Sequence, residues 1–227
     1  LSYQSFTDIA VRTDVAYRES RLEIERSTVV WNDQTLHAGG TIELRPRPRM
    51  NLLAEGVDID VALVLAGLGV EADVAGMADL SSVVSGEFGD LQAEANLQVA
   101  GLQAYGQALG GGSGEVSLRD GAIHFAGELD QNQSQVPPGR VAASGMYRIA
   151  STEFAVHAEA EDAVVRDLSL GDNSTIDGRL SFSLDGQGTI EEPSVQLQAS
   201  VVEANVNGTL SLGELDVEAS LEGRGLE

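Results

Sequence analysis

The chemistry open to this chain lies in its glycine-rich turns, its three histidines and its 36 carboxylates. GLGVEA (Gly67 to Ala72) fits G-x-G-x-x-A after an apolar run. A dinucleotide turn of that form needs a following helix, N-terminus toward the pyrophosphate, inside a strand–helix–strand unit. Gly76 arrives four residues later and no such rhythm follows, so the match reads as a glycine-rich β turn. ALGGGSGEV (Ala108 to Val116) shares only its glycines with a phosphate loop, because the Lys-Ser/Thr is missing and the chain has no lysine. Ser113 is no nucleophile elbow, since position 115 is Glu rather than Gly. The stretch is expected to be a flexible hairpin connection.

His37, His124 and His157 stand alone, with no second histidine at i+2 or i+4. A zinc or iron site would need them to converge from distant strands, and they are expected not to. Carboxylates such as Glu43, Glu218 and Glu222 fall on the polar phase of alternating segments. DGAIHFAGELD (120–130) and GDNSTIDG (171–178) set Asp beside turns but follow neither calcium-loop spacing. A glycosidase carboxylate pair is defined by its separation in space. Carbohydrate enzymes, however, display aromatic platforms, and Trp31 is the only tryptophan. The expectation is no catalytic residue, no cofactor and no metal.

The elements that would have to position any site are strands. Period-two alternation marks a strand with one wet and one dry face. In SVQLQAS (194–200) Val195, Leu197 and Ala199 alternate with Gln and Ser, and in ELDVEASLEG (214–223) Leu215 and Val217 alternate with Asp and Glu. Further candidates are RLEIE (21–25), TIELR (41–45), MNLLAEG (50–56), EANLQVAGL (94–102), GEVSLRD (114–120) and AIHFAGEL (122–129). GMYRIA (145–150), EFAVHAEA (153–160), RLSFSLDG (179–186) and GTLSL (208–212) complete the set. Pro46 and Pro48 mark an edge or bend. DVALVLAGL (60–68) is the one segment read as a short helix. The net charge of −23 leaves no clustered cations, which excludes nucleic acid as a partner. With no cysteine there are no disulfides, thiolate metal sites or cysteine nucleophiles. No run of 18 apolar residues and no signal peptide is present, so no helical membrane crossing is expected. Because the alternation starts and stops in mid-pattern, the chain is expected to be an internal segment of something longer.

The sequence also repeats. ANLQVAGLQA (95–104) aligns with SVQLQASVVEA (194–204), and Ala38 to Gly56 aligns with Ala143 to Ala160. The offsets of about 100 to 105 residues suggest two degenerate copies of one β unit. The expected division is a first unit at 1–130, a polar Pro/Gly loop at 131–140 and a second unit at 141–227.

One stretch carries a resemblance. In LDGQGTIEEPSVQLQA (184–199), Gly186, Gly188, Ile190, Pro193, Val195 and Leu197 match G-x-G-x-(I/L)-x-x-P-x-(V/L)-x-L. SGEFGDLQAEANLQVAG (85–101) is a weaker copy without the proline. This texture resembles the AsmA-like superfamily of bacterial envelope proteins, and within it the TamB branch. The resemblance implies an all-β fold: an elongated, repetitive antiparallel sheet rolled into an open, taco-like groove with an apolar interior. It also implies phospholipid transport between inner and outer membranes, a periplasmic location in a full-length protein anchored in the inner membrane, and support of outer-membrane protein assembly. The implied partners are phospholipid acyl chains and, through the full-length protein, an outer-membrane β-barrel of the TamA type.

The residues argue separately for a groove. One-faced strands must bury the dry face, yet only ten aromatics (Trp 1, Tyr 4, Phe 5) serve the chain. Acyl chains would fill such a trough at ~0.8 kcal/mol per buried CH₂. The expected lining is Leu97, Val99, Ile123, Phe125, Phe154, Val156, Leu180, Phe182, Leu184, Val195, Leu197, Ala199, Leu215 and Val217. The alternative is a closed β-solenoid or sandwich stalk, as in adhesins and passenger domains, with protein on the dry face. A transmembrane β-barrel would show aromatic girdles, which this composition cannot supply.

Overall fold

The structure, a computed structural model, describes residues 9–44, 47–67, 72–131, 139–169 and 174–223. It is nearly all antiparallel β, in one sheet of fourteen strands that is not closed into a barrel. Strands β1 (Ala10–Arg18), β2 (Arg21–Trp31), β3 (Gln34–Glu43) and β4 (Arg49–Asp60) come first, then helix α1 (Val61–Gly67). After it run β5 (Val74–Glu87), β6 (Asp90–Ala104), β7 (Gln107–Arg119), β8 (Ala122–Asp130) and β9 (Arg140–Arg148). β10 (Glu153–Ser169), β11 (Thr175–Thr189), β12 (Pro193–Val206), β13 (Leu210–Ser211) and β14 (Glu214–Glu222) finish the chain. Each strand follows its predecessor in the sheet, except that β13 and β14 both pair with β12. No second sheet is present among the described residues.

The chain forms two compact units, one of 1–102 with 113–120 and the other of 103–112 with 121–227. The loop at 131–140 falls outside the described residues at 132–138, as does GLGVEA at 68–71. The segment read as a helix is one: Asp60 Oδ1 accepts from the Ala62 and Leu63 amides, at 2.8 and 3.3 Å, and caps α1.

Three sequence readings need correction. β1 and β5 were not among the strand candidates. ALGGGSGEV is no hairpin connection but the body of β7. Its glycines serve close packing, because a Cβ on Gly110 or Gly112 would strike the carbonyl of Asp130 or Glu128.

The two units share local features in their pairing. Ala38 opposes Ala54 in the first unit, and Ala143 opposes Ala158 in the second. β4 carries a bulge between Gly56 and Ile59, and β10 one between Ala160 and Ala163. In both, an aspartate takes the left-handed conformation, Asp58 at φ 53° and Asp162 at φ 50°. Aspartate tolerates it because its short polar side chain is accommodated there. The bulge amide leaves the ladder and donates to the next strand's side chain: Asp58 to Asp79 Oδ1 at 3.0 Å, Asp162 to Ser181 Oγ at 3.1 Å.

Two glutamines splice the second unit where the β8–β9 hairpin ends short of β10. Gln131, 2% exposed, donates from Nε2 to the carbonyls of Ala108 and Val164 and accepts the Val164 amide at Oε1. Gln107 grips Arg166 in the same way, donating to its carbonyl and accepting its amide. Each side-chain amide stands in for a missing peptide pair.

Candidate functional site: the apolar face of the second unit

Residues directly opposite in an antiparallel ladder point to the same side of the sheet, so the printed register assigns faces. In the second unit one row runs Ile123, Tyr147, Phe154, Gly188, Pro193 across β8 to β12. The next is Phe125, Gly145, Val156, Gly186, Val195 and Leu221 on β14. A third is Gly127, Ala143, Ala158, Leu184, Leu197, Ala219, and a fourth Leu129, Val141, Ala160, Phe182, Ala199, Val217. Beyond the β10 bulge follow Ala163, Leu180, Val201 and Leu215. No charged residue interrupts these rows.

The twelve expected residues from Ile123 to Val217 therefore share one face. Leu97 and Val99 lie on β6 in the first unit, in its half-buried phase with Leu91, Ala93 and Ala95. Sequence reading missed Leu129, Val141, Tyr147 and Ala160, while Val201 and Leu221 are in the apolar phase of the alternation but not in the expected lining. Phase was the available signal: Leu129 is in step with Ile123 and Phe125, while Val141 and Ala143 precede the strand start chosen at 145.

Glycines shape this face. Phe125 leans across Gly145, where a Cβ would meet its Cζ at 2.8 Å, and Val156 leans over Gly186. The Gly186–Leu197 motif is the β11–β12 hairpin: the Thr189 amide donates to the Glu192 carbonyl, and Ile190 at the tip is 61% exposed. Burial differs from place to place on this face. At the bulged end Ile176, Val201 and Ala204 form a closed core, with Leu180 and Leu215 packed against it. On β8 and on β14, Phe125, Val217 and Leu221 remain 36%, 46% and 40% exposed. So Leu180 and Leu215 already have protein neighbours, whereas the rows at Phe125 and Val217 are partly open.

The opposite face is polar and holds two open hollows, of about 630 and 500 Å³. The larger is lined by His124, His157 and Asp185 among others. β8 and β10 sit two strands apart, and His124 and His157 occupy neighbouring rows of one face. His157 Nδ1 lies 2.8 Å from Asp185 Oδ1, with Glu159 at 3.8 Å from Nε2. His37 belongs to β3 in the first unit and lies 3.4 Å from Thr28 Oγ1. Among the described residues no group of three His, Cys, Asp or Glu is placed to hold a metal ion.

The Asp185 hydrogen bond raises the His157 pKa above the ordinary imidazole value, with its charge and that of Glu159 adding to the shift. A raised folded-state pKa stabilises the fold below the unfolded value and loses that contribution as pH rises through the folded one. The His157 resonance in an NMR titration should therefore move at higher pH than an ordinary imidazole does. Asp185→Asn should bring it down, and a midpoint unchanged by that substitution would refute the pairing.

No helix among the described residues is long and apolar enough to cross a membrane. No protein-family model, curated protein or solved structure matches this chain.

Proposed function

We propose that this chain is a non-enzymatic segment of a bacterial envelope protein whose apolar sheet face carries phospholipid acyl chains. The observation that carries the reading is the run of charge-free rows across six strands of one unit, still partly exposed at Phe125, Val217 and Leu221. An acyl chain gains ~0.8 kcal/mol per CH₂ placed on such a surface. A single charge there would face hydrocarbon without a partner. The hairpin motif from Gly186 to Leu197 supports placing the segment with the AsmA-like superfamily and its TamB branch. In that reading it works in the periplasm, within a protein anchored in the inner membrane. Phospholipid passes toward the outer membrane, and a β-barrel of the TamA type is the outer partner in outer-membrane protein assembly.

A closed stalk is the second reading, favoured by the protein-filled core at Ile176, Val201 and Ala204. Extraction of the purified protein with organic solvent, followed by mass spectrometry, separates the two. The lipid reading expects phospholipid in stoichiometric amount. Its absence, with an 8-anilinonaphthalene-sulfonate signal no higher than that of a compact protein, leaves the stalk.

A further inference from the structure

The larger hollow on the polar face of the second unit brings together donors that lie far apart in the chain. Two rows of the ladder form its floor. One runs His124, Met146, Ala155, Gln187, Ser194 across β8 to β12, and the next Ala126, Ser144, His157, Asp185, Gln196. Met146 stands directly opposite His124 and diagonally across from His157. All three line the hollow, and the residues between them, Ala126, Ser144 and Ala155, are small, which leaves room above the sheet. β8 and β10 run about 10 Å apart, two strand spacings. An imidazole from each side closes that span through metal–nitrogen bonds of about 2.0–2.1 Å. Met146 is the one apolar side chain larger than alanine in either row, on a face that is otherwise polar.

We propose that His124, Met146 and His157 hold a soft monovalent cation, cuprous copper or silver, through two imidazole nitrogens and one thioether sulfur. Thioether sulfur selects cuprous copper, and imidazole is a ligand for copper as well. All three donors are uncharged, which suits a single positive charge better than a divalent ion. His157 is already oriented for the role: its Nδ1–H donates to Asp185 Oδ1 at 2.8 Å, which leaves the lone pair on Nε2. A carboxylate behind the imidazole is the usual way a metal-ligating histidine is held. Glu159 Oε2, 3.8 Å from Nε2, places a negative charge beside the ion, and the net charge of −23 draws cations to the surface. Histidines alone do not make this site, since His37 belongs to the first unit; the third donor is a methionine. The hollow faces away from the apolar rows, so the ion and an acyl chain would bind on opposite sides of the sheet.

Titration of the protein with silver nitrate in chloride-free buffer, followed by NMR, tests this. The ring resonances of His124 and His157 and the methyl of Met146 should shift together and saturate at one ion per chain. His37 and the methyls of Met50 and Met77 should stay in place. Met146→Leu keeps the volume and removes the sulfur, and His124→Gln removes one nitrogen. With the circular dichroism unchanged, each should weaken silver binding by about 10–100-fold or more, the loss known for disturbing a ligand's outer hydrogen-bond partner. Cuprous copper, measured anaerobically in competition with bicinchoninate, should weaken in parallel. Equal shifts at all three histidines, silver affinity indifferent to Met146→Leu, or no saturation at one ion per chain would overturn the proposal.

Discussion

Gln131→Leu is expected to lower the unfolding free energy by about 3–5 kcal/mol, read as a shifted urea midpoint at unchanged slope. The substitution keeps the volume but removes the side chain that reaches the Ala108 carbonyl, the Val164 carbonyl and the Val164 amide together. Each buried group left unpaired costs about 1–3 kcal/mol, and Gln131 is 2% exposed, so water cannot replace it. Only glycine fits at 139 beside the same amide, because a Cβ there would stand 2.5 Å from Gln131 Oε1. Gln107→Leu is the internal control. It loses the same paired grip on Arg166, but in an exposed setting where water can take over, so about 1 kcal/mol or less is expected. Equal losses at the two positions would show that burial is not what makes Gln131 matter.

The second large effect is on the apolar face. Leu197→Asp and Phe182→Glu should each abolish phospholipid co-purification while the far-ultraviolet circular dichroism remains that of a β protein. Leu197 sits between Leu184 and Ala219 in the third row, and Phe182 between Ala160 and Ala199 in the fourth. A carboxylate there faces an acyl chain with nothing to pair it, at a cost of several kcal/mol. Both positions are half-buried rather than closed, so the unliganded protein can turn the new charge toward water and stay folded. Phe182→Ala should be mild for lipid and cost less than the ~3–5 kcal/mol of a truncated core phenylalanine. A well-folded Phe182→Glu protein retaining its lipid would remove the conduit. A Phe182→Ala loss in the full core range would favour the packed stalk.

Much of the architecture is local and was therefore legible. Side-chain direction along a strand has period two, so Val195, Leu197 and Ala199 declare their common side without knowledge of any partner. The turn between Gly188 and Pro193 likewise declares a hairpin: a Cβ on Gly188 would strike the Glu192 carbonyl, and a proline opens the next strand. The charge-free face of the second unit is the sum of these local phases. The offset of about 104 residues also held information, since it places Asp58 over Asp162 and so the two bulges over each other.

What alternation could not say was which strands lie side by side, where a ladder slips, or where the dry face is already filled. Those depend on contacts between residues far apart in the chain. ALGGGSGEV reads as a turn because glycine lacks β propensity. It is a strand because the β8 backbone approaches too closely for any Cβ, a demand set by its neighbour. His157 and Asp185 are 28 residues apart and meet only because β10 and β11 pair in one register. Gln131 reads as ordinary loop polarity, and its role exists only where a short hairpin leaves the end of β10 without a partner. Alternation by itself determined that this protein is a sheet with one apolar face. Tertiary structure decided where that face is sealed, around Ile176, and where it stays open, because bulges and glycines set how closely neighbouring backbones pack.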